Sequence, residues 1–438
     1  MNTMARDRIV VTPLAAAPAN AIVFDSDRDG AALLEGWSGE GAWRVLLPWP
    51  EEIRRLPWSK AGSWKTEFAA MEESVPVVAV APDVAPIGAP FLGGWVGFIC
   101  YEAAATEEAV RPRENDPPEP PLFFARHRAG VVVDPDGAAF LFAPDDETDE
   151  CLRRLETASA PRASTAPRDA SLRDSLGNGA HRRAVERIRA AIRDGDVYQV
   201  NLTRSFSVAA AADGAELYRT LTGAAPPRMS AFVRGPGCTI VSASPETLLR
   251  FDRAEGIAET RPIKGTVRRA GNDAREIETL LASAKDAAEH LMIVDVARND
   301  LGKIAPAGHV SVSDDRRVRT LEYVHHLEST VRATGLRDRS AADVLAALSP
   351  AASITGAPKR AAVAMIRDLE PTARGVYCGS IGFIGSRWIE LSVAIRTAIV
   401  TADTTRYHAG GGIVWDSDAD AEDDESRAKA AAFLRYAE

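Results

Sequence analysis

Four carboxylates stand in two pairs. Asp286 and Glu289 lie three residues apart in a segment patterned as a helix, and Glu422 and Glu425 repeat that spacing at the start of the last helix. The spacing puts both members of a pair on one helix face. Two such pairs on facing helices offer only oxygen ligands, a set suited to Mg2+ rather than zinc. The competing reading is solvated acid, and residues 419–425 are acidic enough for it. Glu289 is harder to explain that way. It precedes the apolar stretch Leu291–Val296, which must be buried, and a carboxylate at a core edge needs a partner.

Only seven of the 52 basic residues are lysine, so a lysine in a polar motif stands out. Lys264 sits in TRPIKGT (260–266), between a proline and a glycine. A desolvated amine there is a nucleophile or base, or else one half of an ordinary ion pair. Glu246, in SASPE (242–246), is its candidate acid or its ion partner. Three glycines, Gly410, Gly411 and Gly412, follow a strand pattern. They allow a substrate to touch backbone, and successive N–H groups can form an anion nest. Arg396 lies in the otherwise apolar LSVAIRT (391–397). It needs an anion, either a carboxylate side chain or a ligand. None of the seven histidines has metal-ligand spacing; of the neighbours His325 and His326, one points inward if they lie on a strand.

The elements that must hold these residues follow from hydropathy. Residues 1–156 read as strands and loops, with short apolar runs at 42–47 and 75–80 and an aromatic, glycine-containing stretch at 91–102. An acidic, proline-rich loop is expected at 107–121, then strands at 122–124, 131–133 and 138–142 around a turn at Asp134–Gly137. Residues 157–179, rich in Ala, Ser, Pro, Arg and Asp, read as a flexible linker. The second region, 180–438, opens with a helix over 181–194 that Gly195 closes. It continues with hairpin material at 242–251 and 256–260. One long helix, or two nearly continuous ones, is expected at 272–299, and further helices at 340–348, 358–369 and 421–436. Strands are expected at 376–383, 389–400 and 405–414. Long strands followed by helices, without a repeating strand–helix unit, favour an α+β fold.

Composition removes several classes of function. With 46% hydrophobic and 26% charged residues over 438 positions, the chain is an ordinary globular protein that needs no staple to build a core. A net charge of −10 argues against a general nucleic-acid binder. Four cysteines without a CxxC pair read as free thiols of a cytoplasmic protein, and no apolar run is long enough to span a bilayer. GxGxxG and GxxxxGK[ST] are both missing.

Ten segments, in order, resemble the chorismate-utilising enzymes. They are GDVYQVNLTRSF (195–206), SASPETLLRF (242–251), TRPIKGT (260–266), AEHLMIVDVARNDLG (288–302), YVHHLEST (323–330), ITGAPK (354–359), YCGSIGFIG (377–385), LSVAIRTA (391–398), AGGGIVWDS (409–417) and EDDES (422–426). GGWVGFICYE (93–102) resembles the N-terminal part of the amine-forming members. The resemblance implies two large antiparallel β-sheets packed as a sandwich and flanked by helices, with the two regions intertwined. It implies Mg2+ held by Glu289 and Glu425, with Asp286 and Glu422 nearby, binding the ring carboxylate of chorismate. Arg396, Tyr377 and the Gly410–Gly412 backbone would hold the enolpyruvyl carboxylate, Thr266 would line the site, and His326 would help the ring hydroxyl leave.

Two positions then suggest the branch. Hydrolytic members carry a water-activating Lys where this chain has Gln199, and an amide is no general base at neutral pH. Anthranilate-forming members read Pro-Ile-Ala-Gly-Thr where this chain reads Pro-Ile-Lys264-Gly-Thr, and the Lys marks the branch that aminates chorismate at C4. The resemblance thus implies Lys264 as nucleophile, Glu246 as proton donor and a product leading to 4-aminobenzoate and folate. The alternative is an anthranilate-forming or dual-purpose enzyme. No glutaminase segment is evident, so a separate glutamine amidotransferase subunit is expected to supply ammonia, and a separate lyase to release pyruvate. Residues 21–26 depart from the Leu-Leu-Glu-Ser pattern of tryptophan-inhibited anthranilate synthases, so tryptophan feedback is not expected.

Overall fold

The protein is described by a computed structural model over residues 9–38, 43–75, 88–110, 117–157, 171–321 and 324–437. The apolar run at 76–80, the middle of the acidic loop (111–116) and most of the expected linker (158–170) lie outside the described residues. Among the described residues two large sheets, of twelve and ten strands, make the fold, and every strand pairing in them is antiparallel. The α+β sandwich expected from the sequence is the one observed.

Strand alternation builds the layers. Leu34, Val45, Val96, Phe98, Phe123 and Phe383 form a core between the two sheets. Their neighbours on the opposite strand faces are buried under helices. On the larger sheet, Leu33, Phe206 and Phe232 meet Ala430 and Phe433 of the last helix. On the smaller one, Trp95, Phe124 and Leu249 meet Trp64, Phe68 and Val344. Gly94–Ile99 is therefore buried on both faces, which explains a run with no polar alternation. Its glycines serve close backbone approach: a Cβ on Gly97 would stand 1.9 Å from the Phe123 carbonyl oxygen. Among the described residues all four cysteines are free and buried, and no helix is long and apolar enough to cross a membrane.

The long helical stretch is two helices, Asp273–Ala282 and Ala284–Gly302. Ser283 separates them, and its hydroxyl caps the second by accepting from the Asp286 N–H at 3.2 Å. Two expected elements are divided, and both divisions matter for the site. Residues 242–251 are not one hairpin arm. Cys238–Ala243 belongs to the larger sheet and Thr247–Asp252 to the smaller, with Ser244–Glu246 crossing between them. Residues 389–400 are likewise two strands, Trp388–Val393 in the smaller sheet and Thr397–Thr401 in the larger, with Ala394–Arg396 crossing. Similarly, the strand expected from Val376 begins at Ser380, after a turn in which Gly379 N–H donates to the Val376 carbonyl at 2.9 Å.

Candidate active site

The two crossings lie side by side and hold each other. Val393 N–H donates to the Glu246 carbonyl and Ala243 N–H to the Arg396 carbonyl, each at 3.0 Å. Backbone bonds thus fix the relative position of Glu246 and Arg396. Arg396 has a φ of 50°, a left-handed conformation that a residue with a Cβ adopts at a cost of about 1 kcal/mol or more. Its guanidinium makes no ion pair or hydrogen bond with any described residue. Of the two partners its sequence setting allowed, no side-chain carboxylate reaches it among the described residues, so its charge is available to an anion.

The glycines form part of the strand Thr405–Ile413, which pairs with Gln199–Val208 through Gly410–Thr203, Gly411–Leu202 and Gly412–Asn201. They are extended backbone in a ladder and not the anion nest the sequence allowed. Along 408–413 their other edge pairs with no strand among the described residues, and Lys429 Nζ donates to the Gly410 carbonyl there at 3.0 Å. Thr397–Thr401 pairs with this strand only from Ala398–Tyr407 to Val400–Thr405, and the chain then leaves through Arg396. Arg396 thus stands beside the continuation of this edge, past its last strand pairing among the described residues. Each glycine also makes room. A Cβ on Gly412 would lie 2.8 Å from Lys264 Nζ and 2.7 Å from Gln199 Nε2. A Cβ on Gly411 would lie 3.0 Å from Glu422 Oε2 and 3.2 Å from Glu425 Oε1.

Lys264 lies on Ile263–Arg268, paired with Leu327 of the strand Val324–Ala333. Only 16% of its side chain is exposed, and Nζ stands 3.9 Å from Glu289 Oε2. Burial lowers the pKa of its amine, and Glu289, Glu425 and Glu246 restrain the fall while Lys429 adds to it. Glu246 is buried, with Ser353 Oγ donating to its Oε1. Burial raises its carboxyl to about 7, against the pull of Ser353 and Lys264. An amine tending to lose its proton and a carboxyl tending to keep one are complementary partners for proton transfer.

His326 is buried, and its Nδ1 shares a 2.7 Å hydrogen bond with Thr266 Oγ1. Nε2 is buried without a partner among the described residues. Burial, with Arg396 and Lys429, pulls this imidazole down to about 3, so it is neutral at ordinary pH. It offers a hydrogen bond rather than a charge. Tyr377 is buried and stacks on His408 at 5.1 Å, 13° from parallel; no hydrogen bond joins it to Arg396.

The four acidic residues come to this region from two helices, but they do not converge on a point. No three of their oxygens lie within 4.8 Å of one another. Ammonium groups stand among them instead: Lys429 is 2.6 Å from Glu425, and Lys285 is 3.9 Å from Glu289. Ser417 Oγ donates to Glu422 Oε1 at 2.6 Å. Burial raises the Glu422 carboxyl, with Ser417 opposing and Glu425 adding to the rise. Burial also acts to raise Glu425, but Lys429, Lys264 and Lys285 outweigh it and hold that carboxyl low. Asp286 sits in the first turn of Ala284–Gly302, where its side chain meets Gly265 next to Lys264. An all-oxygen set whose charge already draws three ammonium groups is a fit in donor chemistry for a hard divalent cation.

A profile of the chorismate binding enzyme family matches residues 59–435. The chain belongs to this family. Aminodeoxychorismate synthase component 1 of Klebsiella aerogenes is 35% identical, over 80% of this chain and 78% of that protein. Anthranilate synthase component 1 of Streptomyces coelicolor is also 35% identical, over 81% and 75%. Among solved structures, anthranilate synthase component I from Streptococcus pneumoniae aligns over 96% of this chain and 92% of its own, with a TM-score of 0.72 and 26% identity. The isochorismate synthase MenF of Escherichia coli, 19% identical with a TM-score of 0.73 over 98% and 94%, shares the fold.

Three features of this chorismate-binding enzyme's site were missed by the sequence reading. Gln199 was read only as the mark of a non-hydrolytic branch. It is fully buried beside Lys264, with both amide atoms unpartnered among the described residues. Ser353, the partner of Glu246, stands one residue before ITGAPK. Beneath the floor, Arg374 and Glu370 form a buried pair at 2.7 Å. Glu370 accepts from Thr203 N–H at 2.8 Å, and Arg374 donates to the carbonyls of Asn201 and Ile354. The pair lies past the end of the helix Lys359–Leu369, so no helical spacing marked it in the sequence.

Proposed function

We propose that this chain is aminodeoxychorismate synthase component I, converting chorismate and ammonia to 4-amino-4-deoxychorismate and water. The observation that carries the reading is the Lys264 amine, sheltered between Glu246, Glu289 and Gln199 above a glycine whose missing Cβ makes its space. Arg396, beside the edge of the glycine strand, binds the enolpyruvyl carboxylate, and Tyr377 supports that end of the site. The ring carboxylate lies toward Glu289, Glu425, Asp286 and Glu422. These residues would hold Mg2+, which would supply positive charge that favours binding of this carboxylate and loss of the C4 hydroxyl.

Lys264, as the free amine, adds at C2; the ring double bonds shift, and the C4–O bond breaks. The neutral His326 ring donates a hydrogen bond toward the departing hydroxyl, which leaves as water with the proton Glu246 holds, and Glu246 takes up the proton released by the newly bonded Lys264 nitrogen. Ammonia then forms the C4–N bond, the double bonds shift back, and the C2–N bond to Lys264 breaks. Glu246 returns a proton to the departing amine. The enolpyruvyl group is retained throughout. Lys264 sets the regiochemistry by occupying C2 while ammonia arrives. A separate glutamine amidotransferase supplies the ammonia, and a separate lyase completes 4-aminobenzoate for folate synthesis in the cytoplasm.

The deciding experiment incubates the chain with chorismate, Mg2+ and ammonium and resolves the products by chromatography with mass detection. The expected product is aminodeoxychorismate, turned into 4-aminobenzoate only on adding a lyase. Anthranilate and pyruvate formed without a lyase would favour the second reading, an anthranilate or dual-purpose synthase. That reading is supported by the equal identity of the Streptomyces coelicolor relative.

A further inference from the structure

Outside the substrate site, three donor atoms converge at the junction of the helix Asp273–Ala282 with the strand Val324–Ala333. His325 Nε2 lies 3.4 Å from Asp273 Oδ1 and 3.6 Å from Glu276 Oε2, and all three atoms fall within 4.8 Å of one another. His325 is fully buried, and both its Nε2 and Glu276 Oε2 are without a hydrogen-bond partner among the described residues.

We propose that Asp273, Glu276 and His325 form a second metal site, specific for a zinc-class divalent ion and distinct from the acidic set around Glu289 and Glu425. The spacing carries the argument. A tetrahedral ion with bonds of about 2.0–2.2 Å places its ligand atoms about 3.3–3.6 Å apart. A protonated imidazole bound to these carboxylates would instead draw them in to about 2.7–2.9 Å. The imidazole nitrogen selects zinc-class ions over Mg2+.

Every ligand is also held from behind, as metal ligands are. Thr320 Oγ1 shares a 2.8 Å hydrogen bond with His325 Nδ1. When Nδ1 is the donor, the Nε2 lone pair points at the carboxylates. Glu276 Oε1 accepts from the N–H groups of Ala270 and Asn272, at 2.9 and 3.2 Å, leaving Oε2 free. Arg269 orients Asp273 by donating to both its oxygens, Nε to the ligand atom Oδ1 at 2.9 Å and Nη2 to Oδ2 at 2.8 Å, and Oδ1 keeps a second lone pair toward His325. Its side chain is half exposed, which gives the ion a route in.

The site would act on architecture. His325 pairs with Val267 on the strand that carries Lys264 and Thr266, and it adjoins His326. An ion here ties the helix to the hairpin that presents three candidate catalytic-site residues.

The test strips the untagged full-length chain with a chelator, then titrates Zn2+ against a chromophoric competitor in excess Mg2+. One Zn2+ per chain is expected, with a higher melting temperature. His325→Gln and Glu276→Gln should each weaken binding by roughly 100-fold or more, and Glu289→Gln should leave it unchanged. Should His325→Gln fail to fold, the visible spectrum of tetrahedral Co2+ in the parent chain and its loss in Glu276→Gln give the same answer. No Zn2+ bound in competition, equal affinity in both His325→Gln and Glu276→Gln, or loss of binding in Glu289→Gln would each overturn the proposal.

Discussion

At the scale of residues, the proposed reaction turns on two perturbed groups, and each suggests a separate test. Lys264→Ala should abolish aminodeoxychorismate formation, by roughly 1000-fold or more, while chorismate still binds. Product analysis and a binding titration check the two halves, and persistent C4 amination would remove Lys264 from its role. The pH profile should be bell-shaped. Rate rises as Lys264, lowered from its ordinary value, loses its proton. It falls as Glu246 loses its own near pH 7. With turnover corrected for the fraction of free ammonia, Glu246→Gln should lose the falling limb. Stability gives an independent reading of the same carboxyl. Its folded-state value, about 7, lies above the ordinary 4.5, so its stabilisation is complete below 4.5 and is lost as pH rises through 7. Glu246→Gln should therefore melt above the parent at pH 8 and level with it at pH 4, a difference on the order of 3 kcal/mol for a shift to about 7. Equal melting at both pH values would show that Glu246 does not titrate as described.

At the scale of elements, the glycine strand is the most exposed to test. Gly412→Ala puts a methyl 2.8 Å from Lys264 Nζ and should depress turnover far more than stability. Gly302→Ala, at a helix end with nothing within 4 Å, is the control. Comparable losses in both would show that Gly412 serves only the fold. The helices at 181–194, 340–348 and 358–369 were legible in the sequence, although the first begins earlier, at Asn178. The glycine run was legible as a place of close approach. The two crossings were not. Residues 389–400 are mostly apolar through the change of sheet because both sides of it are buried, so apart from Arg396 itself the hydropathy pattern carries no break at the crossing. Arg396 takes a left-handed conformation that its residue type does not advertise. Pro245 was the one local hint near Glu246. Arg396 was thus found as a residue out of place on a strand, while the reason it is free to meet a ligand required the topology.

At the scale of the whole molecule, the two regions read from the sequence contribute to the same sheets. Ala32–Trp37 pairs with Ser230–Gly235, and Gly94–Ile99 with Ser380–Gly385. Buried polar ties reinforce the seam: Glu119 holds Arg406 at 2.6 Å, and Glu72 accepts from Ala341 N–H at 2.9 Å. A fragment of residues 180–438 should therefore fail to fold alone. Calorimetry and solubility check this, and a soluble fragment with a cooperative melt would sink it. The seam also has a consequence in time. Gly94–Ile99 meets Leu122–His127 soon after synthesis, but its second partner lies roughly 280–290 residues further on, a wait of roughly 15–60 s at ribosomal speed. During that interval the nascent chain displays an unpaired edge flanked by Trp95 and Phe98, so a cell making this enzyme quickly must shield it or lose it to aggregation.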